Sequence, residues 1–140
     1  MSVKCFLDTD ILIYAFSDDN VKADRALHLL SGGGYISVQV LNEFVNVCRK
    51  KLKLGWEEIE ERLAIVKTLA SDVIPLSIGM HESAVKLARD HGFSIYDAVI
   101  VAAAVAGNCD ELLSEDMQHG RIVLGVAIKN PFATPTGLGP

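Results

Sequence analysis

The sequence lacks most of the features that would place it at a glance. Its three cysteines, Cys5, Cys48 and Cys109, are odd in number, and no two stand at C-x-x-C spacing. Cys5 and Cys109 lie in apolar strand-like runs and Cys48 in a helical one. All three read as buried free thiols, which suits a reducing, cytoplasmic compartment. Positive charge is also short. Thirteen Lys and Arg stand against 18 Asp and Glu, leaving a formal charge of −5. That gives no overall basic footprint for nucleic acid, although bound cations can invert the field at a local site. The longest apolar run, residues 98–106, falls well short of the ~20 residues that span a bilayer. Its many alanines suggest a tightly packed internal helix instead. The apolar stretch after Met1 meets Asp8 too soon to form a signal peptide. The four histidines, His28, His81, His91 and His119, show no H-E-x-x-H or other paired spacing and read as surface or packing residues. His119, close behind Asp116, is the one to watch. Neither a G-x-x-x-x-G-K-S/T loop nor a G-x-G-x-x-G turn occurs. No internal repeat, low-complexity tract or linker is visible.

What is present is 140 residues, half of them hydrophobic, enough to build one domain with a sizeable core. We expect a single domain over residues 1–132 and a loose Pro/Gly-rich tail over 133–140. Short strands are expected at 3–7, 35–38, 72–76 and 111–113, with a fifth at 123–129. Helices are expected at 11–16, 21–30, 40–53, 56–70, 82–91 and 95–106. Asp10 could cap the first helix. The glycines after Ser31 would stop the second by taking the left-handed conformation. Acids early (Glu57, Glu58, Glu60) and Lys67 late suit the dipole of the fourth. Short strands alternating with helices predict an α/β, three-layer sandwich around a mostly parallel sheet.

Candidate chemistry rests on carboxylates. Asp8 directly follows a strand, and Asp116 lies just beyond another within Leu112-Leu113-Ser114-Glu115-Asp116. If those strands run parallel, both side chains reach the sheet edge where sites of such folds gather. Singly, each is an ordinary strand-ending aspartate. Asp97 is more informative. It shares a helical face with Ile100, Val101 and Ala104, and a carboxylate heading an apolar stripe is costly unless compensated. The competing reading is a capping box over Ser94-Ile95-Tyr96-Asp97. Glu43 sits in a largely apolar helical run with Val40 and Val47 on its own ridge. It could also be a partly exposed glutamate on a buried helix. If Asp8, Glu43, Asp97 and Asp116 converged, they would repel one another without a cation. Hard oxygen donors select Mg²⁺ or Mn²⁺ over zinc, and the chemistry that follows is in-line hydrolysis of a phosphodiester. The hydroxyls of Thr9 and Ser114 flank proposed ligands and could orient them. For Ser114 ordinary turn hydrogen bonding is preferred; for Thr9 the two readings balance. The basic run Arg49-Lys50-Lys51-Leu52-Lys53 reads first as a solvated helix end and second as a contact for an RNA backbone.

Five stretches then stand in order: FLDTDILIYAFS with Asp8, VLNEF with Glu43, SIYDAVIVAAA with Asp97, LLSEDMQHG with Asp116, and GVAIKNPF. In this order and at these spacings the chain resembles the PIN-domain superfamily and, within it, the VapC-type toxins of prokaryotic toxin–antitoxin pairs. Asp8 falls in the invariant-acid slot, and Ser114 stands where the family has Thr or Ser. The slot of Asp10 is usually asparagine, a departure here. The resemblance implies a parallel sheet flanked by helices, an acidic pocket for Mg²⁺ or Mn²⁺, and endoribonuclease activity. It also implies a homodimer and a cognate antitoxin. The RNA target differs between members and does not carry over.

Two rival readings remain. Leu7-Asp8-Thr9-Asp10 mimics the D-x-D nucleophile motif of haloacid-dehalogenase-like phosphatases, with Glu115-Asp116 as a later acid pair, but the chain is short for such an enzyme and its cap. A non-catalytic module that binds RNA or a protein partner is the other. The presence of all four acids gives no sign of decay.

Overall fold

The computed structural model describes residues 3–133. Twelve elements follow one another: β1 (Cys5–Leu7), α1 (Thr9–Ala15), α2 (Asn20–Ser31), β2 (Tyr35–Ser37), α3 (Val38–Lys50), α4 (Trp56–Leu69), β3 (Asp72–Ile74), α5 (Ile78–His91), α6 (Ile95–Ala106), β4 (Glu111–Leu113), β5 (Ile122–Val123) and β6 (Val126–Lys129). The strands form one sheet in the order β3-β2-β1-β4-β6-β5. Every pairing is parallel except β5 with β6. This is the α/β architecture expected from the alternation of elements. The proposed tail over 133–140 lies, beyond Ala133, outside the described residues.

Strands β1 and β2 are short because polar residues end them at once and cap the helices that follow. Asp8 leaves β1 in an extended conformation and accepts the Thr9 N–H, opening α1. Ser37, the last residue of β2, accepts the Val40 N–H and opens α3. Strand and helix thus meet with almost no connecting loop, and their side chains are fixed relative to one another. The register Leu7↔Leu113 between β1 and β4 sets Asp8 level with Ser114. From β1 the chain builds outward through β2 and β3, then returns across the sheet to β4 on the other side of β1. The crevice beyond the carboxyl ends of β1 and β4 is therefore a topological switch point, where parallel sheets open a binding cleft.

Phe6, Leu7, Ile36, Leu112 and Ile128 from the strands lie fully or almost fully buried, as do Phe44 of α3 and Ile100 of α6. Each such side chain contributes about 1.5–3 kcal/mol by leaving water. In α6, residues 98 to 104 are all buried, which fits the expected alanine-rich internal helix. Small side chains let α6 pack closely against α5, β2 and β4, and it also meets α3. Gly34 is needed for close approach: a Cβ there would stand 2.5 Å from Leu7 Cδ1 and 3.1 Å from the Leu29 carbonyl oxygen.

Several expectations are corrected. Asp8, not Asp10, caps α1; Asp10 lies inside the first turn with its carboxylate engaged elsewhere. The single strand expected over 123–129 is a hairpin, with Leu124 and Gly125 both at positive φ in the turn. Helix α5 begins at Ile78 rather than residue 82, because Ser77 caps it by accepting the Met80 N–H. The glycines after Ser31 do end α2, but its cap residue Gly32 is not left-handed; Gly33, one step on, takes φ 106°. Cys48 and Cys109 are buried free thiols, whereas Cys5 is only half-buried.

Candidate active site

A cavity of about 900 Å³ opens beyond the carboxyl ends of the central strands. Asp8, Glu43, Asp97 and Asp116 all line it, so the structure brings together the four acids singled out by sequence. Two further acids, Asp10 and Glu115, share its wall.

Asp8 is the most firmly held. Its carboxylate is buried and accepts the Thr9 N–H at 2.7 Å and the Ser114 hydroxyl at 2.8 Å. Burial pushes its pKa from the ordinary 3.8 up to about 6 against those hydrogen bonds, and the charges of Glu43 and Asp97 add to the rise. Ser114 is fully buried and does more than close a turn. While donating to Asp8 it accepts the Asp116 N–H at 3.2 Å and the Met117 N–H at 3.1 Å. One hydroxyl thus ties the Asp8 carboxylate to the backbone that carries Asp116.

Glu43 comes from the middle of α3, and both of its oxygens have a donor. The Thr9 hydroxyl donates to one at 2.9 Å and the Gln39 amide to the other at 3.1 Å. Thr9 and Ser114 thus each donate to an acid of the set, and Ser114 makes the turn hydrogen bonds as well.

Asp97 stands at the mouth, on the first turn of α6. The Ser94 hydroxyl accepts the Asp97 N–H at 3.2 Å, so half of the expected capping box exists. The other half does not: among the described residues the Asp97 carboxylate accepts no hydrogen bond. Its pKa is raised by partial burial and then by the charges of Glu43 and Asp116. A cap alone leaves that cost uncompensated; a cation in the cavity would offset it.

By sequence Asp10 is a possible cap, half of a phosphatase motif, or a departure from the asparagine usual at its slot. One of its oxygens accepts the backbone N–H groups of Glu115 at 2.8 Å and Asp116 at 3.2 Å. It thereby pins the segment after β4 to the first turn of α1. The other oxygen, Oδ1, is buried without any hydrogen-bond partner among the described residues. Burial, then the neighbouring Asp8 charge, lifts the Asp10 pKa to about 7. Glu115 has a different task. It pairs with Lys22 and accepts the Tyr14 hydroxyl at 2.6 Å, and both contacts hold its carboxyl below the ordinary range. His119 does not line the cavity; its ring Nδ1 accepts the Asn130 N–H at 2.9 Å.

Sequence reasoning also missed the polar wall that α3 presents to the cavity: Gln39, Asn42 and Asn46, ending near Lys51. The signal was the helical spacing of these amides around Glu43, opposite the buried stripe of Val40, Phe44 and Cys48. Among the described residues, no three His, Cys, Asp or Glu side chains crowd closely enough to grip a bare metal ion. No helix among them is long and apolar enough to cross a membrane.

Comparison with known proteins gives a coherent result. The family model described as PIN domain matches residues 5–123. Solved structures share the fold at low identity. One is VapC20 of Mycobacterium tuberculosis, described as a toxin cleaving the sarcin–ricin loop. It is 18% identical with a TM-score of 0.65, over 81% of this chain and 92% of that one. A toxin–antitoxin complex from Klebsiella pneumoniae is 25% identical with a TM-score of 0.68, over 94% and 100%. VapBC2 of Rickettsia felis, solved on promoter DNA, is 22% identical with a TM-score of 0.66, over 91% and 98%. No curated protein sequence matches the chain.

Proposed function

The chain belongs to the PIN-domain family, and from that premise we propose that it is a metal-dependent endoribonuclease. It hydrolyses RNA phosphodiester bonds at the cavity lined by Asp8, Glu43, Asp97 and Asp116. The observation that carries this reading is the shared cavity itself: four carboxylates, two just beyond β1 and β4 and two on α3 and α6, line one space at the switch point of the sheet.

The donor set suits Mg²⁺ or Mn²⁺. All the candidate donors are carboxylate oxygens, and Asp8, Asp10 and Asp97 are lifted by burial and by acidic neighbours. The orphaned Oδ1 of Asp10 marks a place where positive charge is wanted. Mg²⁺ keeps several waters and takes only a few carboxylates, with substrate phosphate completing its shell. An open acidic cavity suits it better than a closed cage. Asp8, Glu43, Asp97 and Asp116 would hold a divalent ion there, and it would supply neutralising charge for the scissile phosphate and a more acidic water for in-line attack.

The chain's own residues do the positioning. Ser114 and the Thr9 N–H fix Asp8, Thr9 and Gln39 fix Glu43, and Asp10 and Ser114 hold the backbone at Asp116. Among the described residues the carboxylates of Asp97 and Asp116 accept no hydrogen bond, which leaves both open to whatever enters. Such outer contacts set ligand geometry and are worth about 10–100-fold in affinity or activity. The phosphatase reading is set aside: the family match runs through both residues of its motif and through the later acid pair.

We extend the proposal to a toxin of a toxin–antitoxin pair that acts as a homodimer and is held inactive by a cognate antitoxin. The named toxin–antitoxin complexes among the structural relatives support the antitoxin partner; the homodimer rests on the family resemblance alone. The antitoxin would place an arginine in the cavity, where its planar fork pairs with carboxylates; the net charge of −5 favours a basic partner. Cleavage of single-stranded RNA in Mg²⁺ or Mn²⁺, silenced by EDTA and by Asp97→Asn, tests the nuclease. Unchanged cleavage by a folded, contaminant-free Asp97→Asn protein would falsify it.

A further inference from the structure

The cavity holds more than acids. Tyr96 lines it next to Asp97, and the residue is 66% exposed. The other tyrosines are accounted for. Tyr14 bonds Glu115 and packs edge-on against Phe132, and Lys4 covers the ring of Tyr35. The exposed Trp56 is covered by Arg49. Among the described residues Tyr96 has no aromatic partner, no cation over its face and no hydrogen bond to its hydroxyl. Holding an apolar ring in water at the mouth of a polar cavity is unfavourable unless something covers it. Along the α3 wall of the same cavity, Asn42 and Asn46 are exposed, and neither side chain makes a hydrogen bond among the described residues. Each amide offers both donors and an acceptor. At the far end of that wall Lys51 is exposed and in no ion pair among the described residues.

We propose that Tyr96, Asn42 and Asn46 form a base-recognition subsite for the nucleotide beside the scissile phosphate of a single-stranded RNA. The inference rests on the nuclease reading and names which part of its substrate this wall takes. Tyr96 stacks the base, because every base offers a π-face to an aromatic platform. Asn42 and Asn46, four residues apart on one helical ridge, read the edge of the stacked base. Lys51, two helical turns beyond Glu43, meets a neighbouring phosphate. A continuous duplex would not serve, since its bases are already stacked on one another. Lys51 is the basic residue of the run at 49–53 that this arrangement uses. Arg49 is occupied by Trp56 and by the Leu54 carbonyl, and Lys53 by the Lys50 carbonyl.

The test is binding rather than turnover. The four nucleoside 5′-monophosphates and ribose 5-phosphate are titrated in Mg²⁺ and followed by proton NMR. At least one nucleotide binds five-fold or more tighter than ribose 5-phosphate, the lower end of what base stacking supplies. Its base protons move upfield in the ring current of Tyr96. Tyr96→Leu abolishes that shift and weakens the nucleotide to the level of the sugar phosphate, while Tyr96→Phe keeps both. Asn42→Ala with Asn46→Ala levels the preference among the four bases. Equal binding of ribose 5-phosphate and every nucleotide overturns the proposal, as does a Tyr96→Leu protein that binds like the wild type. RNA cleavage is scored separately. Base-dependent binding without any cleavage would overturn the nuclease reading and leave the subsite standing. Cleavage without base-dependent binding would overturn the subsite alone.

Discussion

Asp10 offers the sharpest quantitative test, because its cost in the metal-free protein follows from its surroundings. Its ordinary pKa of 3.8 rises to about 7, first through burial and then through the charge of Asp8, which itself rises to about 6. An acid whose folded pKa lies above its unfolded value keeps its proton longer in the folded state. Stability therefore falls as pH climbs from the unfolded pKa to the folded one, and the full cost applies above it. Each pH unit in that window costs about 1.4 kcal/mol per group. Between pH 5 and pH 8, Asp10 loses about 3 kcal/mol and Asp8 about 1.4, or roughly 4 together. For a domain of this size about 3 °C of melting temperature accompanies each kcal/mol. In EDTA the wild type should thus melt roughly 10 °C lower at pH 8 than at pH 5. Asp10→Asn can still accept the Glu115 and Asp116 N–H groups through its amide oxygen, and its amino group would stand where Oδ1 is now orphaned. That variant should lose only about 4 °C over the same range, since the Asp8 part alone remains. Comparing the two proteins removes every contribution they share. A wild-type melting temperature that is flat with pH in EDTA would refute the reasoning, as would an Asp10→Asn protein with an undiminished pH dependence.

Saturating Mg²⁺ or Mn²⁺ should raise the melting temperature of the wild type at pH 8 by mass action. It should do so much less for Asp97→Asn; equal destabilisation of that variant with and without metal would make Asp97 a structural residue of the α6 first turn rather than a metal ligand. Ser114→Ala removes the donor to Asp8 and the acceptor of two backbone N–H groups, so it should cost about 1–3 kcal/mol of stability. It should also lower cleavage by about 10–100-fold, measured by urea unfolding and by initial rates on one RNA. An antitoxin encoded beside this chain should co-purify with it and lose inhibition when its arginines are replaced; inhibition that survives every replacement would exclude the arginine mechanism.

The parts of this molecule legible in the sequence are those fixed by local chemistry. Helix α6 is bounded by Ser94 and Gly107 and filled with alanine, and it was placed to the residue. The strands were placed to within a few residues, because polar caps such as Asp8 and Ser37 punctuate them. The β5–β6 hairpin was not legible: its turn lies within an unbroken apolar stretch, where Gly125 is the sole punctuation. The four acids stand out in the sequence because Asp8 and Asp116 follow strands, Asp97 heads an apolar stripe and Glu43 lies in a largely apolar run. The structure nevertheless sets Glu43 on the polar ridge of α3 with Gln39, Asn42 and Asn46. The role of Asp10 could not. Its partners are backbone groups more than 100 residues away, and nothing in its own neighbourhood announces them. Ser114 was undervalued for a related reason, since its serine-turn pattern is real and conceals the bond to Asp8 across the sheet. Asp97 shows how a capping box can be half formed: Ser94 does cap the helix, but the carboxylate does not return the bond.

The central claim is that the four-acid cavity hydrolyses RNA with a divalent ion, and one side-by-side measurement tests it most directly. A single-stranded RNA is incubated in Mn²⁺ with wild type and Asp97→Asn, purified identically and shown to be folded, each with and without EDTA. The account predicts internal cleavage by the wild type that EDTA stops, and a drop of more than about 100-fold for the variant, beyond what loss of an outer contact produces. Equal cleavage by both proteins, or wild-type cleavage that persists in EDTA, would contradict it.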